Sequence, residues 1–264
     1  MKSGVKILDH GYVRLIETYG SDQSIIEAAR MSTNKGFKGW GGTCHECHGT
    51  GESMDDVGVI TCPTCNGEKI LPEGDERLLS FLYNNKHMTP FEMGGMIIEV
   101  KAPIMVFREW HRHRTQSYNE MSARYTPLPD ENYEPSLQRI KDGAAATSNK
   151  QAQGTATLAC DEEVARWLNN LHYLYKQIEA VYQNGLAIGI PKELARLPVP
   201  VARYSRMRAN ANLRNWLAFM TLRMAPNAQW EIRQYANAVS DLIEMHFPRT
   251  HALYMAEFEG KHHG

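Results

Sequence analysis

The 264-residue chain has no run of apolar residues approaching the roughly 20 needed to cross a bilayer. Its first residues, Met1-Lys2-Ser3-Gly4-Val5-Lys6, lead into a mixed polar segment without the apolar core of a secretory signal, so a cytoplasmic protein is the expectation. Net charge is almost absent. The 29 Lys and Arg against 30 Asp and Glu leave −1, which excludes a globally basic nucleic-acid coat. There is no internal repeat, and Gly39, Gly41 and Gly42 do not form the Gly-x-Gly-x-x-Gly turn that cradles a dinucleotide. Cysteine is scarce: there are five, four of them in one cluster, and the fifth, Cys160, has no adjacent base that would make it a nucleophile.

What is present suits a soluble globular protein, with 42% hydrophobic and 22% charged residues in a chain long enough for one large domain, alone or with a small module. Arginine is concentrated around positions 108–124 and 196–223 while the acids are spread elsewhere. That distribution suits local recognition of an anion better than long-range attraction to a polymer.

The cysteine cluster is Cys44-x-x-Cys47 and Cys62-x-x-Cys65, separated by fourteen residues and followed by turns at Gly49, Gly51 and Gly67. Two such knuckles bring four thiolates to one tetrahedral ion, and the glycines let the backbone turn around the sulfurs. A structural zinc held by Cys44, Cys47, Cys62 and Cys65 is expected, since a reducing cytoplasm disfavours disulfides. His45 and His48 are read as facing solvent. The pattern resembles the cysteine-rich repeats of DnaJ-type chaperones. Between Gly39 and Glu73 the acids are Glu46, Glu52, Asp55, Asp56, Glu68 and Glu73 against the single cation Lys69, which argues against a phosphate-binding ribbon. About 35 residues cannot bury enough surface to fold unaided, so the segment reads as a stapled hairpin inserted in a host domain.

Along the rest of the chain, residues 5–16 read as strand around the turn Asp9-His10-Gly11. Ser21-Asp22 caps a helix to about Met31, with Ile25, Ile26, Ala28 and Ala29 on its buried side. Helical spacing returns at 77–83, and Met96, Ile98 and Val100 alternate as in a strand. Pro103 opens a helix that would place Arg108 and Arg112 one turn apart. Residues 141–160 are poor in apolar groups and are expected to be mobile. A helix over 161–185 carries Trp167, Leu168, Leu171, Leu174, Tyr175, Ile178 and Val181 as a core or subunit-interface stripe. Pro191 starts a helix containing Arg196. A helix over about 210–224 would align Asn212, Trp216, Phe219 and Arg223 on one stripe, which suits one wall of an elongated, flat ligand site or an interface. Asn227 starts the final helix.

The most informative stretch is Arg112-His113-Arg114-Thr115-Gln116-Ser117-Tyr118-Asn119-Glu120-Met121-Ser122-Ala123-Arg124-Tyr125. Three guanidinium forks among hydroxyls and amides are suited to holding phosphate oxygens together with the edge of a heterocycle. A solvated helix face would instead mix Lys and Glu with helix formers. The stretch resembles the Arg-His-Arg…Ser…Ser-x-Arg signature of the flavin-dependent thymidylate synthases. His87-Met88-Thr89-Pro90-Phe91-Glu92, Glu193-Leu194-Ala195-Arg196, Asn212-Leu213-Arg214 and Leu222-Arg223 with Ala228-Gln229-Trp230-Glu231 are similar to further motifs of that family, in the same order. The similarity runs from near residue 5 to about 245, apart from the cysteine segment.

The resemblance implies an α+β fold with long helices packed around a sheet, one domain over 1–264 interrupted by a zinc-binding insertion at 39–73. It implies methylation of dUMP to dTMP, with methylenetetrahydrofolate as carbon donor and NADPH-reduced FAD as hydride source, in a homotetramer. His87, Thr89, Arg112, His113, Arg114, Glu120, Asn212 and Arg214 would contact FAD. Glu109, Trp110, Arg112, Glu120, Met121, Ser122, Ala123, Arg124, Arg196 and Arg223 would form the nucleotide site, with Arg124 and Arg196 on the phosphate and Arg223 as the catalytic, charge-stabilising group. Three positions depart from the family pattern: Glu109 for a common Gln, Ala218 for Asn and Asn227 for His. Glu109 would need Arg108 or Arg112 to neutralise it, or else would recognise a donor such as a cytosine amino group. The rival readings are a pyrimidine nucleotide hydroxymethylase using the same flavin and folate, and a nucleic-acid-binding relative with a degenerate flavin site.

Overall fold

The computed structural model describes residues 4–44, 46–55, 57–71, 74–145 and 160–262. His45 and most of the 141–160 segment lie outside these. In chain order the elements begin with β1 (Val5–Ile7), β2 (Gly11–Tyr19), α1 (Asp22–Arg30), β3 (Gly42–Thr43), β4 (Glu52–Asp55), β5 (Gly58–Thr61) and β6 (Ile70–Leu71). Next come α2 (Gly74–Asn84), β7 (Gly95–Pro103), α3 (Ile104–Trp110), β8 (Ser117–Glu120), α4 (Leu137–Ala145) and α5 (Asp161–Ala187). The chain closes with α6 (Lys192–Ala195), β9 (Tyr204–Asn212), α7 (Leu213–Arg223), α8 (Trp230–His246) and α9 (Pro248–His262). None of the described helices is long and apolar enough to cross a membrane.

The chain divides into two compact units. The first comprises residues 1–17, 96–211 and 218–241. It holds most of a five-stranded sheet in the order β1-β2-β7-β9-β8. The β1–β2 hairpin pairs Val5 with Val13 and Ile7 with Gly11 around the expected turn. Gly11 is required there, because a Cβ would collide with the Tyr235 hydroxyl. Met96, Ile98 and Val100 of β7 are fully buried, as their alternation predicts.

Two elements differ from the sequence reading. Residues 204–212 form strand β9, paired antiparallel with β8 (Asn119 opposite Arg208, Glu120 opposite Met207), so Asn210 and Asn212 end a strand and the helix begins only at Leu213. Ser205, Met207, Ala209 and Ala211 are buried and alternate with exposed Arg206, Arg208 and Asn210, a period of two that overrides the helix propensity of Arg and Ala. Trp216 and Phe219 are core residues rather than a ligand wall. The chain also does not end with α8. Helix α9 follows it.

On α5, the buried face is Val164, Tyr175, Tyr182 and Gly185, while Trp167, Leu174, Val181 and Ile188 repeat every seven residues on an exposed face. The expected stripe is therefore split, part core and part open surface.

The second unit comprises residues 18–95, 212–217 and 242–264. Ser21 caps α1, as the sequence predicts, and does so through a reciprocal pair with Ser24. Ile25 and Ile26 are buried, whereas Ala28 and Ala29 are only half-buried. The Asp22 carboxylate accepts from Arg249 N (2.8 Å), Thr250 N (3.2 Å) and Thr250 Oγ1 (2.6 Å), and so caps the start of α9.

The cysteine segment is built from the hairpin of β4 with β5 and from the antiparallel pair β3 with β6, which brings its two ends together. Its base is tied down by charge. Lys38 N donates to Asp75 Oδ2 (2.6 Å), Gly41 N donates to Glu76 Oε2 (2.7 Å), and the Arg249 guanidinium lies 4.3 Å over the Trp40 ring. Fully buried Asp75 is neutralised by Arg30.

Candidate active site

Helix α3 stops at Trp110, so Arg112 and Arg114 fall in the following turn rather than on a helical face with Arg108. Two contacts shape that turn. Trp110 is fully buried against Phe219 (ring centroids 4.5 Å apart) and donates from Nε1 to Gln116 Oε1 at 3.1 Å. The Tyr118 hydroxyl, carried on β8, donates to the carbonyl oxygens of His113 (2.7 Å) and Trp110 (3.2 Å). The turn thereby sinks the His113 side chain and leaves those of Arg112 and Arg114 exposed.

Arg223, at the end of α7, is held by three hydrogen bonds within this unit. Its Nε donates to His113 Nε2 (2.8 Å), Nη1 to Glu109 Oε2 (2.8 Å) and Nη2 to the Glu109 carbonyl oxygen (2.7 Å). The partner of Glu109 is therefore Arg223, not Arg108 or Arg112. His113 accepts at Nε2 and so carries its proton on Nδ1. Burial, and then the Arg223 charge, push its pKa down to about 4, leaving a neutral imidazole at physiological pH.

A separate cavity of about 290 Å³ is lined by Glu120 at the end of β8 and Met121 and Ala123 after it, by Arg196 at the end of α6, by Arg108 of α3 and by Ser205 of β9. Its remaining walls are aliphatic. Arg196 is half-buried and Arg108 exposed, so two cationic groups, the Glu120 carboxylate and the Ser205 hydroxyl line a pocket that is apolar elsewhere. Ser122 supports its own turn, its carbonyl accepting from Tyr125 N at 3.0 Å and its Oγ from Arg124 N at 3.3 Å. Arg124 is exposed and pairs with Glu193 at 3.2 Å.

In the second unit, His87 and Thr89 are exposed at the start of a short 3-10 helix, Thr89–Met93. Arg214 pairs with Glu92 of that helix at 2.5 Å. Asn212 Oδ1 accepts from Asn215 N at 3.0 Å and caps α7. The four thiols of Cys44, Cys47, Cys62 and Cys65 are buried with all Sγ atoms within 4.8 Å of one another, an arrangement able to hold a metal ion.

Residues 14–249 match the family described as thymidylate synthase complementing protein. A flavin-dependent thymidylate synthase of Thermus thermophilus is 35% identical over 250 residues, covering 95% of this chain and 77% of the relative. The chain belongs to the flavin-dependent thymidylate synthase family. The Thermosipho melanesiensis synthase is 32% identical over 245 residues, 93% of this chain and 90% of its own. Among solved structures, the UMP/dUMP methylase PolB of Streptomyces cacaoi, bound with 5-Br dUMP, superposes with a TM-score of 0.72 at 26% identity, covering 96% of this chain and 97% of that one.

For a flavin-dependent thymidylate synthase, the motifs legible in the sequence fall on the surfaces just described. Four of the expected nucleotide residues, Glu120, Met121, Ala123 and Arg196, come from two distant stretches yet line one cavity. Sequence reasoning missed Ser205 and Arg108 as wall residues. The alternation of Ser205, Met207, Ala209 and Ala211 with Arg206, Arg208, Asn210 and Asn212 is the signal that would have exposed β9 and with it Ser205.

Proposed function

We propose that this enzyme methylates dUMP at C5 to give dTMP, with methylenetetrahydrofolate as carbon donor, FAD as cofactor and NADPH as its reductant. The observation that carries this reading is the cavity shared by Glu120, Met121, Ala123, Arg108 and Arg196, whose two guanidinium groups suit an anion, whose Glu120 suits a neutral donor and whose other walls are aliphatic. FAD, when bound and reduced by NADPH, would supply the hydride that completes the methyl group. Arg112 and Arg114 suit its diphosphate, since both are exposed and neither pairs with an acid among the described residues. His87, Thr89, His113, Glu120, Asn212 and Arg214 complete the proposed FAD set. Glu109, Trp110, Arg112, Ser122 and Arg124 belong with the cavity residues to the proposed nucleotide set, Trp110 as the buried support of the turn.

Arg223 is the proposed catalytic group. A guanidinium has five N–H donors, and three are committed to Glu109 and His113, so two remain for a pyrimidine edge. Held in that orientation, it stabilises negative charge on the ring as C5 becomes nucleophilic. The ion pair also occupies a Glu109 carboxylate oxygen that would otherwise attract a cytosine amino group, which favours uracil as the base. The deciding experiment combines the absorption spectrum of the purified protein with mass analysis of the product formed from dUMP, methylenetetrahydrofolate and NADPH. Bound flavin and dTMP are expected, whereas a hydroxymethylated nucleotide would establish the rival enzyme.

The metal is proposed to be zinc in a structural role. Tetrahedral Zn–S bonds of about 2.3 Å separate neighbouring sulfurs by about 3.8 Å. The Cys44–Cys62 and Cys47–Cys65 sulfurs lie 3.8 and 3.6 Å apart. A single enzyme domain carrying this module as an insertion over 39–73, assembled as a homotetramer, completes the proposal. The exposed Trp167, Leu174, Val181 and Ile188 row supplies an apolar surface for assembly, and light scattering at micromolar protein tests it.

A further inference from the structure

We infer that Ser205 recognises the neutral part of the nucleotide, sugar or base, in the cavity assigned above, an inference that rests on that assignment. Ser205 lies on the buried row of β9 and is 1% exposed. Its Oγ has no hydrogen-bond partner among the described residues, yet Ser205 forms part of the cavity wall. A hydroxyl offers one donor and two acceptor positions, and a buried one left unmatched is uncommon enough to need a reason. Met207, Ala209 and Ala211, its neighbours along the row, are apolar and give it nothing.

The cavity wall also carries the aliphatic Ile104, Leu128 and Val199. A ligand atom reaching Ser205 must bring its own hydrogen-bonding capacity. A phosphate is excluded by its solvation, because one hydroxyl in an apolar wall cannot compensate a desolvated anion. Arg108 and Arg196, the more exposed cations of the same cavity, take that role. Ser205 is thus left to a sugar hydroxyl or a pyrimidine carbonyl, and acts as a positioning contact on the aliphatic side of the cavity.

The inference separates ligand binding from stability. Removing an unmatched buried hydroxyl leaves the ligand-free protein as stable or more so, while removing a ligand contact weakens binding. The test titrates FAD-loaded wild type, Ser205→Ala and Ser205→Thr with dUMP and with deoxyuridine by calorimetry, alongside ligand-free melting curves. Ser205→Ala should weaken both ligands by the same factor, about five- to tenfold, with an unchanged or raised melting midpoint, and Ser205→Thr should restore most of the affinity. Unchanged binding in Ser205→Ala, a loss confined to dUMP, or a lowered ligand-free midpoint would each overturn the assignment while leaving the nucleotide site standing. A wild type that binds neither ligand overturns the nucleotide site and Ser205 with it.

Discussion

Replacing Glu109 with Gln tests how the active site treats its one unexpected acid. The Glu109 carboxylate lies 2.8 Å from Arg223 Nη1, with the Glu109 side chain 43% exposed and that of Arg223 14%. With one partner open to water, the pair contributes ~1 kcal/mol rather than the larger value of a sealed pair. Glutamine still accepts the Nη1 hydrogen bond, and the bond from Nη2 goes to the backbone carbonyl, which the substitution does not touch. The loss of stability should therefore be ~0.5–1 kcal/mol, lowering the melting midpoint by about 1–3 °C. Binding should move the other way. In the wild type, Arg223 reaches a ligand in competition with the Glu109 charge, and easing that competition should tighten dUMP about two- to fivefold. Parallel titrations with dUMP and dCMP, with melting curves on the same preparations, give both numbers. A wild type that prefers dCMP, with the preference reversed in Glu109→Gln, would refute the uracil assignment. A Glu109→Gln variant that binds dUMP several-fold more weakly would refute the competition argument itself.

Other outcomes follow from the same contacts. Arg112→Ala or Arg114→Ala should each lower FAD retention about tenfold or more, measured by flavin absorbance after gel filtration, since each removes several charge-assisted donors. Arg223→Lys should retain flavin but reduce turnover at least tenfold, because an ammonium cannot span Glu109, His113 and a pyrimidine edge together. Cys44→Ser should abolish stoichiometric zinc in metal analysis while flavin content persists, and loss of both would show that the module supports the active site. His113 has a folded pKa of about 4 against an ordinary 6.5, so below pH 6.5 the unfolded chain binds the proton first and stability falls as pH drops toward 4. The stability advantage of wild type over His113→Gln should shrink across that window, and a constant difference in pH-dependent denaturant titrations would contradict the burial argument.

Some of this protein could be read without its fold. The β1–β2 hairpin, the Ser21 cap, the alternation of Met96, Ile98 and Val100 and the two cysteine knuckles depend on neighbours a few residues away, whose sterics and hydrogen bonds are written into local order. The order of the arginine motifs was equally legible, and it sufficed to place the chain in its family. Other features needed the tertiary structure. Residues 204–212 contain Arg and Ala, which tolerate helix or strand, and only pairing with β7 and β8 selected the strand and placed Ser205 in the cavity wall. The α5 stripe looked continuous in one dimension, but packing buried Tyr175 and left Trp167, Leu174 and Val181 in the open. Glu109 had two arginines within three residues and took neither, pairing instead with Arg223, 114 positions away. A charge takes the partner that the folded backbone brings within hydrogen-bond reach, and separation along the chain carries no information about that distance.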